Sequence, residues 1–164
     1  MLISTRFGNE KSVHKKTFFP LYTIKGGVFR YRCVMNKEER VKYWLGLVDY
    51  DLDTAETLYN GGRWLYVAFM CHQVIEKILK AYWTATQDIE PPYTHNLERL
   101  VNNCGLSEQM NDEQLHFIDV MVPMNIEARY PAYKEAISRR LTKDYCRSMI
   151  DKTKELQLWI RNKL

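Results

Sequence analysis

The chain has 164 residues, 46% of them hydrophobic and 27% charged, with seven Gly and five Pro. One domain of this length buries roughly 68–70% of its unfolded surface and needs no disulfide or metal to fold. Glycine and proline are too scarce for a sandwich of many turn-linked strands. No stretch approaches about eighteen uninterrupted apolar residues. The amino terminus also lacks the apolar core and small-residue cleavage site of a signal peptide, so the expectation is a cytoplasmic helical protein away from the membrane.

The net charge of +4 is unevenly placed. Residues 1–34 carry seven Lys and Arg against the single Glu10, leaving 17 basic and 19 acidic groups for the other 130 residues. The body is therefore no basic nucleic-acid platform. The first 34 residues lack helical periodicity and interleave basic groups with aromatics, among them Phe18, Phe19, Tyr22, Phe29, Arg30, Tyr31 and Arg32. Leu21–Ile24 and Val28–Val34 flank Gly26-Gly27 as two short strands around a turn. Residues 1–34 are expected to be a basic leader, either such a hairpin or an unstructured, over-long start. Residues 35–164 are the helical domain.

From Asn36 onward the pattern is helical. Asn36 with Glu39 forms a capping-box start. Val41, Trp44, Leu45, Val48, Leu52, Ala55 and Leu58 then recur at three and four, and Gly61-Gly62 ends the helix. Asp49, Asp51 and Asp53 on this helix read as solvated surface. A second helix spans about Arg63 to Thr86, stopped by the run to Pro91-Pro92. Thr94 is the expected N-cap of a short third helix ending at Gly105. Asn111 and Gln114 open a fourth. After the Arg129-Tyr130-Pro131 turn and a short helical piece at Glu135 to Arg140, a last helix runs from about Thr142 to Lys163. Its seam is Tyr145, Met149, Thr153, Leu156 and Ile160. The expected architecture is all-α, an antiparallel up-and-down bundle of four to five helices with a non-helical N-terminal leader. Cys33, Cys71, Cys104 and Cys146 lie too far apart for a zinc motif and read as free, mostly buried thiols. No metal and no cofactor is expected.

The second helix carries the functional signal. Trp64, Val67, Ala68, Cys71, Val74, Ile75, Ile78, Leu79 and Tyr82 form a core face, while Tyr66, Phe69, Met70, Gln73, Glu76, Lys77, Lys80 and Thr84 form a polar stripe bordered by aromatics. Either another part of the chain covers this stripe, with Glu76 and Lys80 as an i,i+4 pair, or it is a dimer interface or ligand edge. In the second case Lys77 and Lys80 would meet phosphate oxygens and an aromatic would stack on a base.

Ala68-Phe69, Gln73, Glu76-Lys77, Leu79-Lys80-Ala81, Pro91, Thr94-His95, Leu97 and Ala128-Arg129-Tyr130-Pro131, in that order and spacing, resemble the HEPN domain family over about residues 37–164. The resemblance implies a helical bundle that commonly dimerises. It also implies links to nucleotide or RNA binding, and a frequent partnership with a small nucleotidyltransferase in toxin–antitoxin or defence systems. Ribonucleases of the family carry an Arg followed after four to six residues by a His. Here Arg63 and His72 have eight residues between them, and Arg129 is followed at those distances by Lys134, Glu135 and Ala136. Without that pair the acid/base step and its cation are both missing.

The expected function is therefore a non-catalytic, homodimeric binding module for a nucleotide, RNA or a nucleotidyltransferase, with Gln73, Glu76, Lys77, Lys80, His95, Arg129 and Tyr130 as its site. His95 is either an acid/base group or a structural histidine bonded to nearby backbone. Arg129 and Tyr130 either clamp a phosphate and a base or lock the turn through a carboxylate such as Glu76 or Glu127. The rival is a metal-independent ribonuclease that pairs His95 or His72 with an arginine. A third reading is a purely structural antitoxin-type partner whose charges are already paired internally. A chain lacking residues 1–34 is expected to unfold in a single cooperative urea transition; loss of that cooperativity would place the leader in the core.

Overall fold

A computed structural model describes residues 35–127 and 140–164. The 1–34 leader, expected as either a hairpin or an unstructured start, the Arg129-Tyr130-Pro131 turn and all but the last residue of the Glu135–Arg140 piece lie outside them. Six α-helices occupy the described residues: α1 (Lys37–Asn60), α2 (Trp64–Thr86), α3 (Leu97–Asn103), α4 (Asp112–Met121), the single turn α5 (Met124–Glu127) and α6 (Lys143–Arg161). A 3₁₀ turn, Ser107–Gln109, links α3 to α4. The all-helical bundle expected from composition and periodicity is the observed fold.

Local chemistry sets most helix starts. Before α1, Asn36 Oδ1 accepts the Glu39 amide at 2.8 Å while the Glu39 carboxylate accepts the Asn36 amide at 3.2 Å. Asn111 and Gln114 repeat the same reciprocal box before α4, at 2.8 and 3.1 Å. Two amides that the helix leaves without partners are thereby satisfied at each site. The cap of α3 is Asn96 rather than Thr94: Asn96 Oδ1 accepts the Arg99 amide at 2.8 Å. Thr94 instead accepts the Asn96 amide, fixing the approach to that cap. Thr142 caps α6 through the Tyr145 amide. Between α1 and α2 the chain reverses at Gly62, whose φ of 67° lies in the left-handed region that favours glycine. Gly105, at 73°, ends the α3 segment in the same way.

The bundle is organised around α2. It packs against α1, α3, α4, α5 and α6, and fourteen of its 23 residues are buried. A helix enclosed on several sides has little solvent stripe to spare, and of the two alternatives for the polar stripe the chain itself covers most of it, leaving Tyr66 exposed. Glu76 and Thr84 are buried there, and Gln73, Lys77 and Lys80 are half-buried. Val74, Ile75, Ile78 and Leu79 are fully enclosed, each stabilising the fold by about 1.5–3 kcal/mol. In α6 the seam begins at Cys146 rather than Tyr145, which is 37% exposed; Met149, Ile150, Thr153, Leu156 and Ile160 continue it. Cys71, Cys104 and Cys146 are free and buried. Burial pushes the Cys71 thiol up to about 12, so it stays protonated.

Because Asn111 satisfies a helix-end amide that has no other donor-acceptor pairing, Asn111→Ala is expected to destabilise the protein by about 1 kcal/mol in urea unfolding. An unchanged midpoint would show that the α4 box contributes nothing.

Candidate functional site

The site is built on about two turns of α2. His72, Glu76 and Lys80 recur at i, i+4 and i+8 and therefore stand above one another on one side of the helix. Glu76 is 4% exposed. Its Oε1 accepts the Lys80 ammonium at 2.8 Å, and its Oε2 accepts His95 Nδ1–H at 2.9 Å from the loop that leads into α3. His72, fully buried, donates Nδ1–H to the Met121 carbonyl at the end of α4, 2.9 Å away. Its Nε2 faces Glu76 Oε2 at 3.6 Å, an electrostatic contact beyond hydrogen-bond length. One carboxylate thus ties α2 to the α3 approach, while its neighbour His72 ties α2 to α4. Lys80 also lies 5.6 Å from the centre of the Trp44 ring on α1, within cation–π range.

Burial works against ionisation of Glu76, but the His72, Lys80 and His95 groups around it outweigh that effect and hold its carboxyl at about 2 against an ordinary 4.5. It remains an anion across the physiological range. One residue on, Lys77 bonds Asp51 of α1. Asp51 is only 4% exposed, so it is no surface group. It lies between Val48 and Ala55 on the buried side of α1. Gln73 Nε2 donates to Asn125 Oδ1 of α5 at 3.5 Å. Arg129 and Tyr130 lie outside the described residues.

The structure therefore brings Glu76, Lys80 and His95 into one cluster. Lys77 and Gln73 reach different helices, α1 and α5. Two members of the network, His72 and Asp51, stand outside the residue set expected from sequence. The signal for each was present: His72 precedes Glu76 by four residues, and Asp51 falls in the Val48–Ala55 seam. His95 bonds a side-chain carboxylate rather than the backbone. Its Nδ1 proton is fixed on Glu76, which leaves the lone pair on Nε2 of a ring that is 60% exposed. That is a geometry able to accept a proton.

A third ionic cluster joins α1 to α6. Arg147 holds Glu56 through two bonds of 3.0 and 2.8 Å and stacks 4.1 Å from the Tyr59 ring centre. Lys154 bonds the same carboxylate. The Arg147 bonds, opposed by partial burial and helped by Lys154, bring the Glu56 carboxyl down to about 2.

Residues 41–163 match the family model of the HEPN domain. The chain belongs to the HEPN domain family. The HEPN fold here is also similar to the crystal structure of TT1696 from Thermus thermophilus, with a TM-score of 0.66 at 19% identity, over 76% of this chain and 98% of that one. No curated protein matches. Membership places this HEPN domain in a family of nucleotide- and RNA-related modules that includes ribonuclease-like members. Among its described residues no helix is long and apolar enough to cross a membrane, and no group of three His, Cys, Asp or Glu side chains could hold a metal ion.

The low Glu76 pKa has a definite linkage. A carboxyl lowered in the folded state adds stability that is complete above its unfolded value of 4.5 and vanishes as pH falls through about 2. At neutral pH this amounts to about 3 kcal/mol. Glu76→Gln is expected to lose about that much at neutral pH, with the gap to the parent closing between pH 4.5 and 2. A gap independent of pH would show that Glu76 is not the anion at the centre of the cluster.

Proposed function

We propose that this HEPN domain is a non-catalytic binding module whose partner is a protein, a nucleotidyltransferase of the kind the family accompanies in toxin–antitoxin and defence systems. One observation supports this reading above all: the lysines of the α2 stripe and the nearby His95 are bonded to carboxylates of the same chain, Lys77 to Asp51 and Lys80 and His95 to Glu76. For Lys77 or Lys80 to swing out to a phosphate, a buried carboxylate would lose its cation. Breaking such a pair costs about 3–5 kcal/mol, more than the roughly 1.5–3 kcal/mol that one charged hydrogen bond returns, and the two lysine side chains are only 19% and 12% exposed. The cations of α2 act as internal cross-links, and recognition falls to the outer faces of the bundle.

A second reading draws on the Glu76–His95 pair. A carboxylate that orients an imidazole is the arrangement of a general base, and a ribonuclease could be built on it if a cation stood beside the scissile phosphate. Lys80 is a poor candidate for that cation, since its charge is spent on the same carboxylate that orients His95.

Native mass spectrometry of the full chain purified from its own cells is the test. The expected species is a stoichiometric complex whose second subunit proves by peptide sequencing to be a nucleotidyltransferase. A stoichiometric nucleotide or RNA in place of that subunit would contradict the proposal. So would metal-free cleavage of single-stranded RNA that His95→Ala abolishes; no such cleavage is expected.

A further inference from the structure

We infer that the groove between α4 and α6 is a docking site for a protein partner and takes one arginine side chain, laid on Trp159 and bonded to the carboxylate of Glu155. This docking rests on the protein-binding role proposed above and gives it a place on the fold. Polar side chains bridge the two segments: Lys152 bonds Glu113 at 2.9 Å, and Lys163 bonds Gln109, shortly before α4, at 3.1 Å. A groove of about 240 Å³ remains between the helices. Phe117 and Leu156, nearly enclosed, and the half-buried Trp159 give it an apolar lining. Its volume falls short of the roughly 300–1,000 Å³ of small-molecule sites. It suits instead the pocket that a single anchoring side chain fills at a protein interface.

Charge selects the anchor. Glu113 is answered by Lys152, whereas Glu155, exposed on the same lining, has no bonded partner among the described residues. The groove therefore carries one unanswered negative charge. Trp159 is the ring type that attracts a cation most strongly, and Lys163 already holds its ammonium 4.3 Å from the ring centre. Lys163 is not part of the lining, so the groove side of the indole is open to a second cation. Arginine meets both demands at once: its planar guanidinium stacks on an aromatic face while its fork of N–H donors matches a carboxylate, and lysine offers only a point charge. The α4 side completes the match. Asn111 Oδ1 and Gln114 Oε1 are committed to the capping box, so these two side chains have amide N–H donors to spare, suited to a backbone carbonyl beside the arginine. An acidic anchor would be repelled by Glu155, and an apolar one would cover that carboxylate without a cation.

Titration of the full chain with the peptide acetyl-Gly-Arg-Gly-amide, followed by the NMR signal of the Trp159 indole N–H, tests it. That signal is assigned by its loss in Trp159→Phe. The expected result is a saturable shift with a dissociation constant of about 1 mM. The same peptide with citrulline, the uncharged isostere of arginine, should bind about tenfold more weakly or worse, and Glu155→Gln should weaken the arginine peptide by a similar factor. Glu155 is exposed, and the spectrum of the variant itself reports that the fold is kept. No saturation by about 10 mM, equal binding of the citrulline peptide, or indifference to Glu155→Gln overturns the inference. A nucleotidyltransferase complex recovered intact with Glu155→Gln also overturns it, and leaves the proposed function standing. A chain that carries RNA or a nucleotide in place of a protein overturns that function and the docking with it.

Discussion

A single ionised carboxylate buried inside the bundle sets the terms for the rest of this structure. Glu76 is 4% exposed, and an anion taken out of water is tolerable only where its lone pairs are met by donors and its charge by cations. Lys80 supplies the charge at 2.8 Å and His95 a donor at 2.9 Å, while His72 closes the space beneath. The demand dictates where neighbouring elements go. The chain after α2 must return so that His95 reaches Oε2, and α4 must end where the Met121 carbonyl can take the His72 proton. The approach to α3 and the end of α4 are therefore positioned by polar bonds as well as by apolar contact.

The same principle recurs at two further junctions, with different donors. Asp51 and Lys77 pin α1 to α2, and Glu56 with Arg147 and Lys154 pins α1 to α6. Each is a carboxylate of modest exposure met by a cation from another helix. Apolar burial supplies most of the stabilisation, since the enclosed aliphatics of α2 outnumber these pairs. The pairs add direction. An apolar helix face tolerates sliding against its neighbour, whereas a buried charge left without its partner costs several kcal/mol. Helix register is in this way tied to functional reading: groups committed to register are not free to bind ligand.

Much of the fold is legible from local chemistry. Capping boxes at Asn36 and Asn111, the Gly61-Gly62 stop and the three-four recurrence of apolar residues are short-range signals, and each marks its element within a residue or two. The departures share one cause, which is that packing between helices is a long-range fact. Periodicity identifies a polar stripe on α2, but how many neighbours surround that helix is not written in its own repeat. Asp51 thus reads as solvent-facing and lies inside, and the choice between a covered and an open Glu76 stripe is made only by packing. Thr94 and Asn96 are both good capping residues two positions apart, and only the path of the loop chooses between them. For the site, the Glu76–Lys80 pair is legible as an i,i+4 spacing, whereas Lys77 and His95 are visible only as polar groups, because their partners come from other parts of the bundle.

A double-mutant cycle on Asp51 and Lys77 is the most direct measure of whether the charges of α2 are engaged within the chain. With Asp51→Asn, Lys77→Met and the double variant followed by urea unfolding at neutral pH, the two changes should be strongly non-additive, with a coupling energy of about 2 kcal/mol. Single effects that add to within a few tenths of a kcal/mol would mean that Lys77 is unattached and available to an outside ligand.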